Sequence, residues 1–272
     1  MFNFLITIIK TNKKGYFIIF FTILIVFLRI RDININEYEK HDIYNNSFKL
    51  FVNKKTTSRK FLNSSKDYWE KRYQKGGNSG AGSFNNLAHF KAEILNDFIK
   101  SYNIDTIIEW GSGDCNQLSL ANYKNYIGFD VSKTAINICK NKFHNDSTKT
   151  FIYIYDKFKN NKKADLSISL DVIYHLLEDK VYNNYMYNLF ESSKKYICIY
   201  SSNIDVGWAS HVRHRKFTDW IDTYASDDWK LIKYIKNKYP FKPKNMSTSF
   251  ADFYFYEKIK CKFKVFGVCV IH

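Results

Sequence analysis

The 272-residue chain has only two prolines, Pro240 and Pro243, and ten glycines. Four of those glycines crowd into "GGNSGAGS", residues 76–83. This stretch lacks what a phosphate loop needs, a glycine followed by Lys and then Ser or Thr, because Gly82 precedes Ser83 and Phe84. It also fails the G-x-G-x-x-G spacing, since Asn85 stands three places after Gly82. The five cysteines, Cys115, Cys139, Cys198, Cys261 and Cys269, include no C-x-x-C pair and are odd in number. That argues against a zinc site and against a disulfide framework, and predicts no metal and a reducing compartment. No internal repeat or low-complexity block appears.

Little net charge falls in the middle of the chain. The net charge is +16, yet residues 66–258 carry only +6 of it, against +7 for 1–65 and +3 for 259–272. Nucleic-acid binders concentrate basic charge on the working domain, so this distribution argues against nucleic acid as a partner. Basic tails fit a membrane surface better. "YFIIFFTILIVFL", 16–28, is free of charge and flanked by Lys10, Lys13, Lys14, Arg29 and Arg31. As a helix it spans about 20 Å, short of the ~30 Å bilayer core, and the neighbouring arginines extend its reach. The expected organisation is an N-terminal segment 1–31 with a membrane anchor at 16–28, a polar linker 32–65, a domain 66–258 and a basic tail 259–272. The tail, "KFKVFGVCVIH", reads as an alternating edge strand rather than a prenylation box.

Within 66–258, a short helix around Trp69, Glu70 and Arg72 precedes the glycine stretch. A helical stripe follows it at Leu87, Phe90, Ile94, Leu95, Phe98 and Ile99. Strands and helices then alternate: "DTIIEW", "NYIGFDV", helical "TAINICKNKF", "TFIYIYD", "ADLSISLD", helical "DKVYNNYMYNLFESS" with Val181, Tyr185 and Leu189 on one face, and "KYICIYSSN". "WKLIKYI" and "ADFYFYEKI" close the series with no helix between them. This predicts an α/β fold with a mostly parallel sheet, helices on both faces and an antiparallel last strand.

The informative stretch is "IIEWGSGDCNQL", 107–118. A strand ends at Glu109, and Gly111 and Gly113 turn the chain at the place where a doubly wound sheet meets a nucleotide-like ligand. Asn116 stands where a hydride-transfer site wants a third glycine. Glu109 can accept from a ligand ammonium, and Asp130, closing the next strand, can reach ribose hydroxyls. A carboxylate for an ammonium, an open glycine turn and a carboxylate for ribose together suit S-adenosylmethionine.

On "EWGSGD", "GFDVS" and "ADLSISLDVIYHLLED", residues 66–258 resemble the class I S-adenosylmethionine-dependent methyltransferases. They are most similar to a group with "YWE-RY", "GGNSGAGS", "LDVIYHL" and "HVRHR" segments. The resemblance implies a Rossmann-like fold with a seven-stranded sheet. It implies cofactor contacts from Glu109, Gly111, Gly113, Asp130, Val131, Asp156, Leu170 and Asp171. It also makes the segment before the first strand a lid, in which Tyr68, Trp69, Arg72 and Tyr73 supply stacking and a carboxylate partner and the glycines permit closure. Cys115 departs from the pattern, where another glycine is common.

Asp171 and His175 lie four apart after the fourth strand, so His175 is either a general base on the acceptor or a histidine that caps the turn. "HVRHRKF", 211–217, places His211, Arg213, His214 and Arg215 beyond the fifth strand. It is either an anion-binding cluster, with Arg213 and Arg215 on the acceptor and His211 or His214 as further bases, or a solvated basic loop. The chain lacks an Asn/Asp-Pro-Pro-aromatic loop and a Pro-Cys pair, which removes the amino-group and cytosine-C5 base methyltransferases. The expected activity is methyl transfer to an oxygen or nitrogen of an unidentified small-molecule or glycan acceptor, with the domain in the cytosol. A catalytically inactive, membrane-tethered partner subunit and an RNA methyltransferase are the alternatives.

Overall fold

The computed structural model describes residues 64–155 and 158–259, and the backbone of 263–265 and 268–270. The charge-free run at 16–28 lies outside the described residues, as does Asp156. No helix among the described residues is long and apolar enough to cross a membrane.

Among the described residues five α-helices surround the sheet: α1 (Ser65–Gln74), α2 (Asn85–Ser101), α3 (Lys133–Lys142), α4 (Asp179–Glu191) and α5 (Phe217–Tyr224). The seven-stranded sheet takes β1 (Thr106–Trp110), β2 (Asn125–Asp130), β3 (Lys149–Tyr153), β4 (Ala164–Leu170), β5 (Ser193–Ser201), β8 (Trp229–Ile235) and β9 (Asp252–Lys258), in the order β3-β2-β1-β4-β5-β9-β8. The pairs from β3 to β5 are parallel, while β9 is antiparallel to both β5 and β8. The expected α/β class, strand series and antiparallel last strand are all present.

Alternation along the strands gives the sheet an apolar surface on each side. Phe253 and Phe255 of β9, with Cys198 and Tyr200 of β5, pack on one side with Phe90, Leu95 and Phe98 of α2 and Ile136 of α3. Tyr254 and Tyr256, with Ile197 and Ile199, pack on the other side with Met186 and Leu189 of α4 and Trp220 of α5. Two apolar layers, each covered by helices, hold the carboxyl ends of β1, β2 and β4 in fixed register.

Four readings are corrected. The inward face of α4 is Tyr182, Met186, Leu189 and Phe190, while Val181 is exposed; Tyr182 and Met186 bring more apolar area to the sheet. The "HVRHR" stretch is not a free loop: β6 (Val206–Ala209) and β7 (Val212–His214) form an antiparallel hairpin leading into α5. The tail is not an edge strand of the main sheet, because β10 (Phe263–Val265) pairs only with β11 (Val268–Val270) in a hairpin of its own. Finally, Cys115 and Cys139 are joined by a disulfide. Odd number and irregular spacing say nothing about two cysteines that the fold brings together, here from the β1 turn and α3. Cys198 is buried and free.

Candidate active site

A cavity of about 430 Å³ opens at the carboxyl ends of β1, β2 and β4. Its floor is the turn after β1. Gly111 and Gly113 are left-handed, with φ of 87° and 57°. A Cβ on Gly111 would stand 2.5 Å from Val172 Cγ2, and one on Gly113 would stand 2.3 Å from Ser79 Oγ, so neither position admits a side chain. Cys115 is also left-handed, at 58°, and its buried side chain leaves the turn toward α3 instead of the cavity. The substitution of Cys for Gly therefore leaves the ligand space open.

Asp130 ties this turn to β2. Its carboxylate accepts from Gly113 N at 2.9 Å and from Ser132 N at 2.8 Å. Burial raises its pKa to about 6 against those two bonds. Glu109 accepts from the Tyr126 hydroxyl at 2.6 Å. Burial raises it to about 7, opposed by the Tyr126 bond and by the positive charge of Lys91. Glu109, Gly111, Gly113, Asp130, Val131, Leu170 and Asp171, which the resemblance assigns to the cofactor, all line the cavity. Ser112 and Gln117 line it too, and their side-chain oxygens, Ser112 Oγ and Gln117 Oε1, are buried behind the cavity surface with no hydrogen-bond partner among the described residues.

The glycine stretch folds over this floor. Ser79 N donates to Asp114 Oδ2 at 2.9 Å while Asp114 N donates to Ser79 Oγ at 3.0 Å. Tyr73, a cavity residue, shares a hydrogen bond with the same Ser79 Oγ at 2.9 Å. Helix α1 is pinned at its start and its middle: Ser65 Oγ donates to Glu178 at 2.7 Å, and Glu70 accepts from Ser132 Oγ and Thr134 Oγ1 at 2.7 Å each. Trp69 lines the cavity edge-on to His175, with ring centroids 4.8 Å apart. Tyr68 and Arg72 do not line it. Arg72 Nε donates to Asn78 O at 2.7 Å, holding the glycine loop, and Tyr68 stacks on His211 at 4.7 Å. The expected carboxylate partner is thus a loop brace.

His175 lines the cavity with Nδ1 2.9 Å from His211 O, so Nδ1 carries the proton and Nε2 is the acceptor. Burial lowers its pKa to about 4. It is neutral near pH 7 but a weak base. His211 contributes its carbonyl and its stack on Tyr68, and its ring is outside the cavity lining. His214 is buried outside the cavity, bonded to Ser202 Oγ at 2.7 Å, and burial lowers it to about 3. That corrects its reading as a base.

The anion-binding reading of Arg213 and Arg215 is corrected as well. Both donate to Asp179 Oδ1, at 2.9 and 2.7 Å, and to backbone carbonyls of Leu176 and Leu177. Arg215 also lies 4.4 Å over the Tyr182 ring. Alternation along β7 points both forks at the turn before α4, and they clamp the hairpin to it.

Sequence reasoning missed Lys91. It is buried, lines the cavity, and puts Nζ 2.6 Å from Asp171 Oδ2. Asp171 is itself left-handed, at φ 60°, and accepts from the Tyr174 hydroxyl at 2.8 Å. The signal was present: Lys91 stands midway between Leu87 and Leu95 on the apolar stripe of α2, where a solvated lysine does not belong. No group of residues suited to a metal ion occurs among the described residues.

No protein-family model matches the chain, and no curated protein matches it in sequence. In structure it is similar to magnesium protoporphyrin IX methyltransferase (ChlM) from Synechocystis PCC 6803 with bound SAH, at 12% identity over 71% of this chain and 97% of that one, TM-score 0.52. The same enzyme with bound SAM aligns over 74% of this chain and 99% of its own at 12% identity, TM-score 0.51. The methyltransferase domain of bacterial CtHen1-C aligns over 63% of this chain and 98% of its own at 17% identity, TM-score 0.50. At these identities the likeness is one of fold, and the described domain has the fold of the class I S-adenosylmethionine-dependent methyltransferases.

Proposed function

We propose that the chain is an S-adenosylmethionine-dependent methyltransferase acting on an oxygen or nitrogen of a small-molecule or glycan acceptor. The observation that carries this reading is the convergence of Glu109, Ser112, Gly113, Gln117 and Asp130 on one cavity at the strand ends. The residues fit the cofactor's chemistry. Each oxygen of Asp130 already takes one backbone N–H and keeps a lone pair for a ribose hydroxyl. Glu109 has one oxygen engaged by Tyr126 and the other available to an ammonium group. When bound, S-adenosylmethionine supplies an electrophilic methyl on its sulfonium. The protein's part is to orient the reactants and exclude water, through α1 and the glycine loop.

Titration calorimetry tests this. Asp130→Ala is expected to weaken S-adenosylmethionine binding by about 1–3 kcal/mol, the scale for hydrogen bonds to a charged group. Unchanged affinity removes the ribose assignment. Absence of binding to the intact chain removes the enzyme reading in favour of an inactive partner subunit.

We further propose that residues 16–28 attach the protein to a membrane, with the domain on the cytosolic side where the cofactor is made. The Cys115–Cys139 bond withdraws the argument that unpaired cysteines gave for that side. The protein is expected to stay with membranes in alkaline carbonate. Release there counts against the anchor, and protection of the domain from protease in sealed vesicles counts against the cytosolic side.

A further inference from the structure

We propose that Lys91 and Asp171 are the acceptor-activating pair and that the acceptor atom is a hydroxyl oxygen. The inference rests on the methyltransferase reading above and deepens it.

An ion pair with one partner buried and the other half-buried contributes little net stability, because desolvation cancels most of the attraction. Asp171 carries the further cost of a left-handed backbone. Two costs meet at one point on the cavity wall, which is the pattern of a functional group held in place by its surroundings. The carboxylate is fixed from two sides, by Lys91 Nζ at 2.6 Å and by the Tyr174 hydroxyl at 2.8 Å. Gly82 packs closely on it from the glycine loop, where a Cβ would stand 2.6 Å from Asp171 Oδ2. Among the lysines lining the cavity, Lys91 alone is buried; Lys66 is partly exposed and Lys180 exposed.

The charges select the acceptor. An amine gains positive charge as it is methylated, and a buried ammonium beside it opposes that. A hydroxyl gains negative charge on oxygen as its proton leaves, and Lys91 offsets that charge. In the step, the acceptor O–H proton passes to an Asp171 carboxylate oxygen. The acceptor oxygen forms the new O–C bond as the C–S bond breaks, and the electron pair of that bond stays on sulfur. Asp171 then gives the proton to water.

The test uses 4-nitrophenol, whose ionisation is read by absorbance, with the full chain saturated in S-adenosylhomocysteine. Lys91→Met is expected to move ionisation of the bound probe to higher pH, and Asp171→Asn to lower pH. Each change in ionisation constant is expected to be about tenfold or more. Opposite signs are the signature that a merely structural pair does not produce. Asp171→Asn keeps the size of the side chain, so its sign decides the matter if Lys91→Met does not fold. Shifts of the same sign, no shift, or no bound probe on a chain that binds S-adenosylhomocysteine overturn the proposal. A chain that fails to bind S-adenosylhomocysteine overturns the reading beneath it instead.

Discussion

Ser79 and Asp114 hold each other by reciprocal hydrogen bonds, each backbone N–H donating to the other's side chain. The pair clasps the glycine loop onto the turn that carries Gly111 and Gly113. The "GGNSGAGS" loop is therefore fastened to the cavity floor and is not a slack joint. Ser79→Ala leaves the Asp114 N–H and the Tyr73 hydroxyl short of a partner. Losing about 1 kcal/mol from the covered state is expected to speed dissociation of S-adenosylhomocysteine by about fivefold. Association should change little. Stopped-flow fluorescence reads both rates, and an unchanged dissociation rate shows that the loop does not retain the ligand.

The two buried acids set a pH dependence. Glu109 titrates at about 7 and Asp130 at about 6, both raised by burial. A carboxylate must be ionised to pair with a ligand ammonium. Affinity for S-adenosylmethionine is therefore expected to rise with pH, by about fivefold between pH 6 and 7 from the ionisation of Glu109, and to level off by pH 8 as the ligand ammonium loses its proton. Glu109→Gln should bind more weakly at pH 8 and lose most of that slope. A wild-type affinity flat across this range would remove Glu109 as the ammonium partner.

The strands were legible because each buried strand is an apolar run with a turn at its end, as in "IIEWGSG" and "NYIGFD". The cavity acids were legible because they sit at those ends. Helix α5 carried its own signal, with Phe217, Trp220, Ile221 and Tyr224 at i, i+3, i+4 and i+7, but the basic stretch before it drew the reading toward a loop. Arg213 and Arg215 misled for another reason. Sequence shows which residues carry charge, and only the fold shows that Asp179 lies opposite them. The Cys115–Cys139 bond and the Lys91–Asp171 pair join segments 24 and 80 residues apart. Spacing rules read one element at a time and do not reach such partners.

His175 supplies a direct test of the burial argument. With its pKa lowered to about 4 by burial, and Nδ1 donating to His211 O, the ring stays neutral in one tautomer across the working range. Because the folded value lies below the ordinary one, the stability from neutral His175 is present above about pH 6.5 and is lost as pH falls toward 4. NMR of the imidazole nitrogens should show no titration between pH 5.5 and 8. A midpoint near the ordinary value would return His175 to the role of general base and weaken the case for Asp171.

The disulfide makes the last prediction. Cys115 belongs to the turn beneath the cavity, and Cys139 Sγ lies 3.1 Å from Gly113 O, so the bond braces that turn against α3. Closing a loop of this length restricts the unfolded chain, and reduction is expected to cost about 2–4 kcal/mol of stability. Cys139→Ser should reproduce the loss without any reductant. It should also weaken S-adenosylhomocysteine binding, because Gly113 N must stay in reach of Asp130 for the floor to keep its shape. Digestion without reduction followed by mass spectrometry is expected to yield one peptide pair joined through Cys115 and Cys139. If both thiols instead take up alkylating reagent in the unreduced, unfolded chain, the bond does not form in the protein. The turn would then rest on the Asp130 and Asp114 hydrogen bonds alone.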